Sequence, residues 1–225
     1  MKRNALSTRL WHWTNLLCLA IMFMSGLNIS NAHPNLYWGD WGFMPRDAWL
    51  HVARFPPWAT IPNYYSLGGA RDWHVLFAWV FALSLLAFMI AALVNGHLRS
   101  DIATHRKEWR PAAIWDDVKA HLRFDFTHHV GKYNFLQKLT YGLVLGVLLP
   151  LMIFSGMAIS PGVDAAWSFL LDVFGGRQSA RSIHFICAWA LFAFFVLHVA
   201  LVLVNKPIRH VREMFTGGGE SDEAA

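Results

Sequence analysis

The chain has 225 residues, of which 56% are hydrophobic and only 15% are charged. This excludes an ordinary soluble domain, in which about a quarter of the residues are charged, and indicates an integral membrane protein. The formal charge of +5 is better explained by membrane topology and anionic headgroups than by nucleic-acid binding. Both cysteines, Cys18 and Cys187, lie in apolar runs, and no C-x-x-C-H motif is present, so neither a disulfide framework nor covalently attached haem is indicated.

Four apolar segments are long enough to cross a bilayer, which takes roughly 20 helical residues. They predict an all-α fold, a bundle of four transmembrane helices at about residues 10–29, 73–94, 139–159 and 183–204. The first segment could be mistaken for a signal peptide, because basic residues precede it and Ser-Asn-Ala follows it. Its Trp-His-Trp sequence and an internal repeat favour retention. We expect one membrane domain over residues 1–215.

The basic residues predict the orientation of the chain. Fourteen of the 19 Lys and Arg lie before the first span, between the second and third spans, or after the fourth. Cytoplasmic loops carry an excess of such residues, so we expect both termini in the cytoplasm. The connection at 30–70 and the residues around 160–180 then face outward, and the connection at 98–134 faces inward.

The connections have characteristic compositions. The outer one is rich in Trp, Tyr and Pro, which is typical of a cap at the level of the lipid headgroups and equally of a docking surface. In the inner one, Pro111 begins a stretch that predicts a short helix lying on the inner leaflet. The apolar residues on one face of that helix are Ile114, Trp115, Val118 and Leu122. Residues 216–225 lack a hydrophobic anchor and are expected to be disordered.

The chain also contains an internal repeat. Ser-Gly-Leu-Asn-Ile-Ser at 25–30 ends the first span, and Ser-Gly-Met-Ala-Ile-Ser at 155–160 ends the third. A shift of 110 residues lays Arg71 on Arg181 and His74 on His184. We therefore predict two tandem, pseudo-symmetric helical hairpins. Because related hairpins pack as symmetric partners, His74 and His184 should face each other at one depth, near the outer surface. They are called the first pair.

A second pair, His12 and His198, follows from depth alone. Both residues lie near the inner ends of their spans, and the repeat relates neither to a histidine. Fourteen residues separate His184 from His198, which is about four helical turns and roughly 21 Å. These two side chains therefore point the same way, one near each face of the membrane.

Two depth-matched pairs of histidines indicate metal ligands, because an imidazole inside a membrane is costly unless it has a partner. Zinc normally takes four Cys, His or carboxylate ligands in a structural site, and the spans offer no such set. Two opposed imidazoles instead fit the axial positions of a b-type haem. The sequence therefore predicts two haems b, one bound by the first pair and one by the second.

Arginines support this interpretation. Arg9, Arg71 and Arg181 each precede a paired histidine by three residues, which places each guanidinium one turn nearer the surface on the same helical face. Arginine suits the carboxylates of haem propionates, although snorkelling to headgroups is the alternative for each residue. The remaining histidines are expected to be solvated or to face headgroups. They are His33, His51, His97, His105, His121, His128, His129 and His210.

Three stretches resemble the bacterial cytochrome b561 superfamily: RLWHWTN at 9–15, RDWH at 71–74 and GKYNFLQKLTY at 131–141. The superfamily includes the di-haem cytochrome b subunits of formate dehydrogenase, nickel-iron hydrogenase and thiosulfate-reductase-type complexes. The resemblance covers nearly all of residues 8–210. It implies a quinone site near the inner haem, formed by Asn134 with Gln137 nearby and His198 alongside. For Asn134, capping of the third helix is the alternative.

The resemblance implies a di-haem b membrane anchor and electron-transfer subunit of a respiratory chain, located in the bacterial inner membrane. It would link the quinone pool to a periplasmic oxidoreductase, with a molybdopterin enzyme as the expected partner. Because the sequence contains no iron–sulfur motif, the catalytic subunit is expected to be a separate chain. A second hypothesis is a stand-alone superoxide:quinone oxidoreductase, with Arg71, Arg177 and Arg181 as a positively charged funnel. A third is a haem-free anchor or transporter, which repeated hairpins also suit.

Overall fold

The computed structural model describes residues 5–42, 44–96, 104–123, 134–204 and 207–217. Four of its helices are long and apolar enough to cross a membrane: Leu6–Ala32, Leu67–Val94, Phe135–Ile159 and Arg177–Val204. Each contains one of the segments predicted from the sequence and extends beyond it at one or both ends. The all-α fold with four membrane-length helices is therefore confirmed.

The elements in chain order combine these long helices with short ones. They are α1 (Leu6–Ala32), β1 (Asn35–Leu36), β2 (Leu50–His51), α2 (Leu67–Val94), α3 (Pro111–Leu122), α4 (Phe135–Leu143), a π-helical turn (Val144–Leu148), α5 (Leu149–Ile159), α6 (Pro161–Asp164), α7 (Phe169–Phe174), α8 (Arg177–Val204) and α9 (Pro207–Thr216). The chain divides into two compact units, one of Met1–Phe88 with Leu151–Ala225 and one of Met89–Pro150.

In the larger unit, the connection between α1 and α2 is a folded cap, here residues 33–66. Its strands β1 and β2 pair antiparallel, and two asparagines of α1 hold it. The amide of Asn28 donates to the carbonyls of Pro62 and Tyr64 at 3.0 and 2.8 Å. Asn31 exchanges two hydrogen bonds with the backbone of Phe55, at 3.0 and 2.7 Å. These amides occupy their hydrogen-bonding groups within the protein, which lets polar residues sit in an apolar helix.

The cap is also tied to α8. Ser182 Oγ donates to the Tyr37 carbonyl at 2.6 Å and accepts from Trp49 Nε1 at 3.0 Å. Ser179 Oγ accepts from the Gly39 N–H at 2.7 Å. The cap is thus fixed to α1 and α8, two of the helices that carry the candidate ligands.

The second repeat ends differently from the first. Asn28 of the first repeat is replaced by Ala158, which packs in an apolar cluster with Leu170 of α7 and Ala180 of α8. Two short helices, α6 and α7, connect the third and fourth spans there. The two repeats therefore resemble each other in their long helices but not in the connections between them.

Helix α9 begins soon after the fourth span and was not predicted. Arg9 donates to the carbonyl of Phe215, Trp13 Nε1 donates to the carbonyl of Met214 at 3.4 Å, and the rings of Trp13 and Phe215 stack at 4.6 Å. The start of α1 is therefore packed against α9. The predicted disordered tail begins at Thr216, which ends this helix, and residues 218–225 lie outside the described part of the chain.

In the smaller unit, α3 confirms the short helix predicted after Pro111. Its Asp117 carboxylate accepts a hydrogen bond from the Leu136 N–H at 2.8 Å, at the start of α4. The π-helical turn after α4 has a local cause. Pro150 has no N–H to bond the carbonyl of Gly146, four residues earlier, and the turn lies directly before it.

Candidate functional site

The first pair meets between α2 and α8, as predicted. The ring centroids of His74 and His184 are 6.1 Å apart. Two imidazoles that each place a nitrogen about 2 Å from one metal ion have ring centres about 6 Å apart. The pair is therefore spaced to hold a single metal ion between its rings.

Hydrogen bonds from α1 fix the tautomer of His74. Its Nδ1 lies 3.0 Å from the Met22 carbonyl and 3.1 Å from Ser25 Oγ. A carbonyl can only accept, so Nδ1 carries the proton, and the lone pair of Nε2 is left for a metal. A second group that orients a ligating imidazole in this way is typical of metal sites.

The second repeat reproduces this arrangement around His184. Ser155 Oγ lies 3.0 Å from His184 Nδ1, and the Met152 backbone also hydrogen-bonds this histidine. Met152 and Ser155 follow Met22 and Ser25 by 130 positions. Thus α5 orients a ligand on α8 in the way that α1 orients a ligand on α2.

Glycines give both imidazoles room against the neighbouring helix. A Cβ at Gly26 would lie 3.6 Å from His74 Cε1, and a Cβ at Gly156 would lie 3.1 Å from His184 Cε1. Sequence reasoning used the two Ser-Gly sequences only to recognise the repeat and missed their role. The signal that could have found it was present, because each Ser-Gly recurs with a histidine in the following span.

The second pair also meets, between α1 and α8. The ring centroids of His12 and His198 are 6.3 Å apart, which again fits one metal ion shared by two imidazoles. Phe194, one turn before His198, stacks on its ring at 6.0 Å. The structure therefore brings all four predicted histidines together in the predicted pairs.

Polar atoms around His12 lack partners. Among the described residues, four buried side-chain atoms close in sequence find no hydrogen bond: Arg9 Nε, Trp11 Nε1, His12 Nδ1 and Asn15 Oδ1. Buried polar atoms are nearly always satisfied, so a group of exceptions calls for a bound ligand or water. This part of α1 fits a bound group with polar edges.

The three predicted arginines differ in their surroundings. Arg9 donates to the Phe215 carbonyl and Arg181 to the Asn35 carbonyl, yet the Nε of each is buried with no partner in the described residues. Arg71 is exposed, and one of its NH2 groups lies 3.5 Å from His33 Nε2. Arg9 and Arg181 thus retain unpaired donors that suit a carboxylate.

Arg177 is engaged elsewhere. Its guanidinium is 2.5 Å from Asp164 Oδ2 and donates to the Ile159 carbonyl at 3.0 Å. A positively charged funnel for an anion would therefore have to rely on Arg71 and Arg181 alone. Within the described ranges, no three His, Cys, Asp or Glu side chains are grouped to hold a bare metal ion, which favours haem over zinc for the pairs.

In the smaller unit, Asn134 and Gln137 form a capping box at the start of α4. The Asn134 side chain accepts from the backbone of Gln137, and Gln137 Oε1 accepts from the Asn134 N–H at 3.3 Å. The capping alternative from the sequence is therefore realised. Binding of quinone by these amides stays a prediction.

An apolar groove of about 420 Å³ runs along α4 and is called the α4 groove. It is lined by Thr104, Trp109, Lys138, Leu139, Gly142, Leu143 and Val147. Lys138 is only 6% exposed, and its Nζ lies 2.7 Å from Glu108 Oε1. Burial raises the pKa of the Glu108 carboxyl, but hydrogen bonds from Lys138 and the His105 backbone, with the Lys138 charge, hold that pKa below its usual range. The groove therefore has the Lys138–Glu108 ion pair, with no net charge, at one end.

Four membrane-length helices with two facing histidine pairs define the class of membrane cytochromes b. The model of one family, prokaryotic cytochrome b561, matches residues 3–217. The chain belongs to this family. It is thus a multi-pass membrane protein that binds haem b and transfers electrons.

Individual relatives are more distant. The chain is 28% identical over 195 residues to a putative protein-methionine-sulfoxide reductase subunit YedZ1 of Azospira oryzae, and the match covers 86% of each protein. It is 24% identical over 207 residues to a probable Ni/Fe-hydrogenase B-type cytochrome subunit of Azotobacter vinelandii, covering 87% of this chain and 77% of that protein. A probable hydrogenase cytochrome subunit of Azotobacter chroococcum is similar at the same identity, covering 86% of this chain and 76% of that protein.

Proposed function

We propose that this chain is a di-haem b subunit that anchors a separate oxidoreductase and exchanges electrons between that enzyme and the quinone pool. The observation that carries the proposal is the presence of two histidine pairs with ring separations of 6.1 and 6.3 Å. Each pair has one histidine on α8, and these two histidines, His184 and His198, are fourteen residues apart.

Each residue set has a distinct task. Haem supplies one-electron redox chemistry when it is bound. Both histidines of a pair would be used to hold one haem, so each site would pass electrons rather than bind a substrate. Arg9 and Arg181 hold the propionates through their unpaired Nε donors, and Arg71 contributes from the surface of α2.

The excess of basic residues on one side favours both termini in the cytoplasm, and membership of a prokaryotic family supports a bacterial inner membrane as the location. The first pair then lies near the periplasm and the second near the cytoplasm. Their ligands on α8 are separated by roughly 21 Å along the helix. Charge moved across the membrane field costs or releases about 2.3 kcal/mol per 100 mV, so turnover should be electrogenic.

The partner is inferred from the relatives and from the cap. The names of the relatives describe subunits of a methionine-sulfoxide reductase and of a hydrogenase, which supports a separate redox enzyme as the partner. We expect a periplasmic molybdopterin oxidoreductase from the sequence resemblance. The cap would face it, with Trp41 and Trp58 exposed by 81% and 80%.

The quinone site is proposed at the start of the third span. The capping box uses the Asn134 side chain and the Gln137 amide oxygen but not the Gln137 amide NH2, which can donate to a quinone oxygen. The α4 groove supports this location. Its apolar wall suits an isoprenoid tail, and its Lys138–Glu108 pair has no net charge, which suits an uncharged headgroup.

A haem count with quinol reduction tests the main proposal. Full-length protein purified from membranes should hold two haems b per chain and should be reduced by a soluble naphthoquinol or reoxidised by the matching quinone. Its partner enzyme should co-purify and accept or donate electrons through it. Protein with one haem or none, or with no response to either quinone form, would contradict the proposal.

The quinone site has its own test. Replacement of Lys138 by Gln leaves Glu108 without its partner beside the groove, so we expect a higher KM for the quinol with little change in haem content. Lys119→Gln is the matched control, because Lys119 forms an exposed pair with Asp116 at 2.8 Å in the same unit. Equal KM values for the two variants would exclude the α4 groove.

A superoxide:quinone oxidoreductase is the alternative function. The observation in its favour is the presence of two arginines, Arg71 and Arg181, beside the first pair. Purified protein that removes superoxide and reduces quinone in the absence of any partner would establish this alternative in place of the anchor subunit.

A further inference from the structure

His33 lies where three elements of the larger unit converge. It follows the last residue of α1, and its N–H donates to the carbonyls of Ile29 and Ser30 at 3.2 and 3.1 Å. Its ring Nε2 is 3.5 Å from an NH2 group of Arg71 on α2. The charge of Arg181 on α8 also acts on the His33 imidazole, and His33, Arg71 and Arg181 are called the His33 cluster. Arg71 and Arg181 lie one helical turn before His74 and His184, so the His33 cluster stands at the edge of the first pair.

The cluster is positively charged and lacks a counter-ion. Burial, followed by the positive charges of Arg181 and Arg71, lowers the pKa of His33. Among the described residues, no carboxylate forms an ion pair with any member of the cluster, and the nearby titratable group is Tyr37 beside Arg181. Arg181 Nε is buried and unpaired. A partly buried guanidinium without an anionic partner is costly, so Arg181 and its neighbours suit a bound anion.

We propose that His33, Arg71 and Arg181 form one carboxylate-binding site, and that it holds the propionates of the haem bound by the first pair. The inference rests on the proposed function and adds His33, which the sequence led us to expect to be solvated or to face headgroups. The repeat relates the two arginines to each other, whereas the shift that lays Ser25 on Ser155 lays His33 on Val163. His33 therefore has no histidine counterpart in the second repeat.

His33 acts as a positioning residue with a titratable charge. Arg71 can only donate, so His33 Nε2 accepts in the observed contact and the imidazole is neutral. A bound carboxylate offsets the two arginines and favours protonation of His33. Protonated His33 in turn stabilises the added electron, so the midpoint potential of this haem should fall as the pH rises through the titration of His33.

The experiment compares haem-loaded, full-length variants. His33→Gln should abolish most of this pH dependence while the bis-histidine spectrum is retained, and His33→Lys should give a potential that is high and nearly independent of pH. His51→Gln is the matched control, because His51 is a cap histidine whose Nδ1 lies 2.6 Å from Asn35 Oδ1 rather than in the cluster. Wild-type pH dependence in His33→Gln would overturn the inference.

Reconstitution with haem dimethyl ester identifies the source of the carboxylate. The ester lacks free propionates, so wild-type protein and His33→Gln should then have the same pH dependence. A difference that persists with the ester but disappears in vesicles without anionic lipid would assign the site to a lipid headgroup and overturn the propionate assignment. The haem count in the same samples distinguishes this result from failure of the proposed function. If the proposed function were wrong, the first pair would hold no haem.

Discussion

The two histidine pairs have nearly the same spacing but very different support. In the first pair, each imidazole is oriented by a serine and a backbone carbonyl and lies against a glycine of the neighbouring helix. In the second pair, His12 Nδ1 is buried without a partner among the described residues. The first pair is therefore preorganised by the protein, whereas the second would depend more on a group bound there.

Duplication explains this difference. A repeated hairpin supplies ligand, serine and glycine together, so the first pair obtained matching supports from α1 and α5. The second pair has no equivalents in the repeat and is instead covered by α9, through Arg9 and Trp13. The two pairs thus have nearly the same ring spacing but are supported by different parts of the protein. The following substitutions should therefore affect the two pairs differently.

Loss of a ligand should give the largest effect. His184→Ala should remove the haem of the first pair, and His198→Ala that of the second, because each leaves an axial position empty. Pyridine haemochrome analysis should find one haem per chain in either variant, with different components missing from the redox titration. Cys187→Ala, a buried position between the two ligands on α8, should retain both haems. Loss of both haems in either histidine variant would show that the pairs are not independent.

Removal of α9 should act on the second pair alone. A chain truncated after residue 206 loses the contacts that Arg9 and Trp13 make with residues 214 and 215. We expect the haem of the second pair to be lost or to exchange much faster, whereas the first pair keeps its own. Trp13→Leu removes the stacking and one hydrogen bond within the full chain and should give a weaker form of the same effect. Equal loss from both pairs would contradict this assignment.

The sequence predicts much of this architecture because the relevant signals are local or periodic. Apolar length identifies the four spans, and the repeat with the fourteen-residue interval identifies the four histidines. Helix α9 was missed because its ten residues are too polar for a span. The role of His33 was also missed, because its two arginines come from helices distant in sequence, and only packing brings them together.

Alanine substitutions at the two glycines should have different effects at His184 and at His74. A Cβ at Gly156 would lie 3.1 Å from His184 Cε1, closer than ordinary contact, whereas one at Gly26 would lie 3.6 Å from His74. Gly156→Ala should therefore displace an imidazole and weaken haem binding roughly tenfold, the equivalent of about 1.4 kcal/mol of overpacking. Gly26→Ala should be close to neutral, because alanine also favours the helix. Haem dissociation rates measured by transfer to apomyoglobin should rank the variants in this order, and the reverse order would exclude a steric cause.

The serines should have the smallest effect. Ser25→Ala or Ser155→Ala removes one partner of a ligating imidazole, a change that can cost about tenfold or more in metal affinity. Here the carbonyls of Met22 and Met152 still accept the Nδ1 proton, so we expect only about a threefold faster loss of haem from the first pair. The second pair has no such serine and should be unchanged. Ser84→Ala is the control, because the one hydrogen bond of the Ser84 hydroxyl within the described part of the chain goes to the Phe81 carbonyl in its own helix. If a variant that combines Ser25→Ala with Ser155→Ala released haem no faster than this control, the carbonyls alone would orient the first pair, and the serines would serve helix packing.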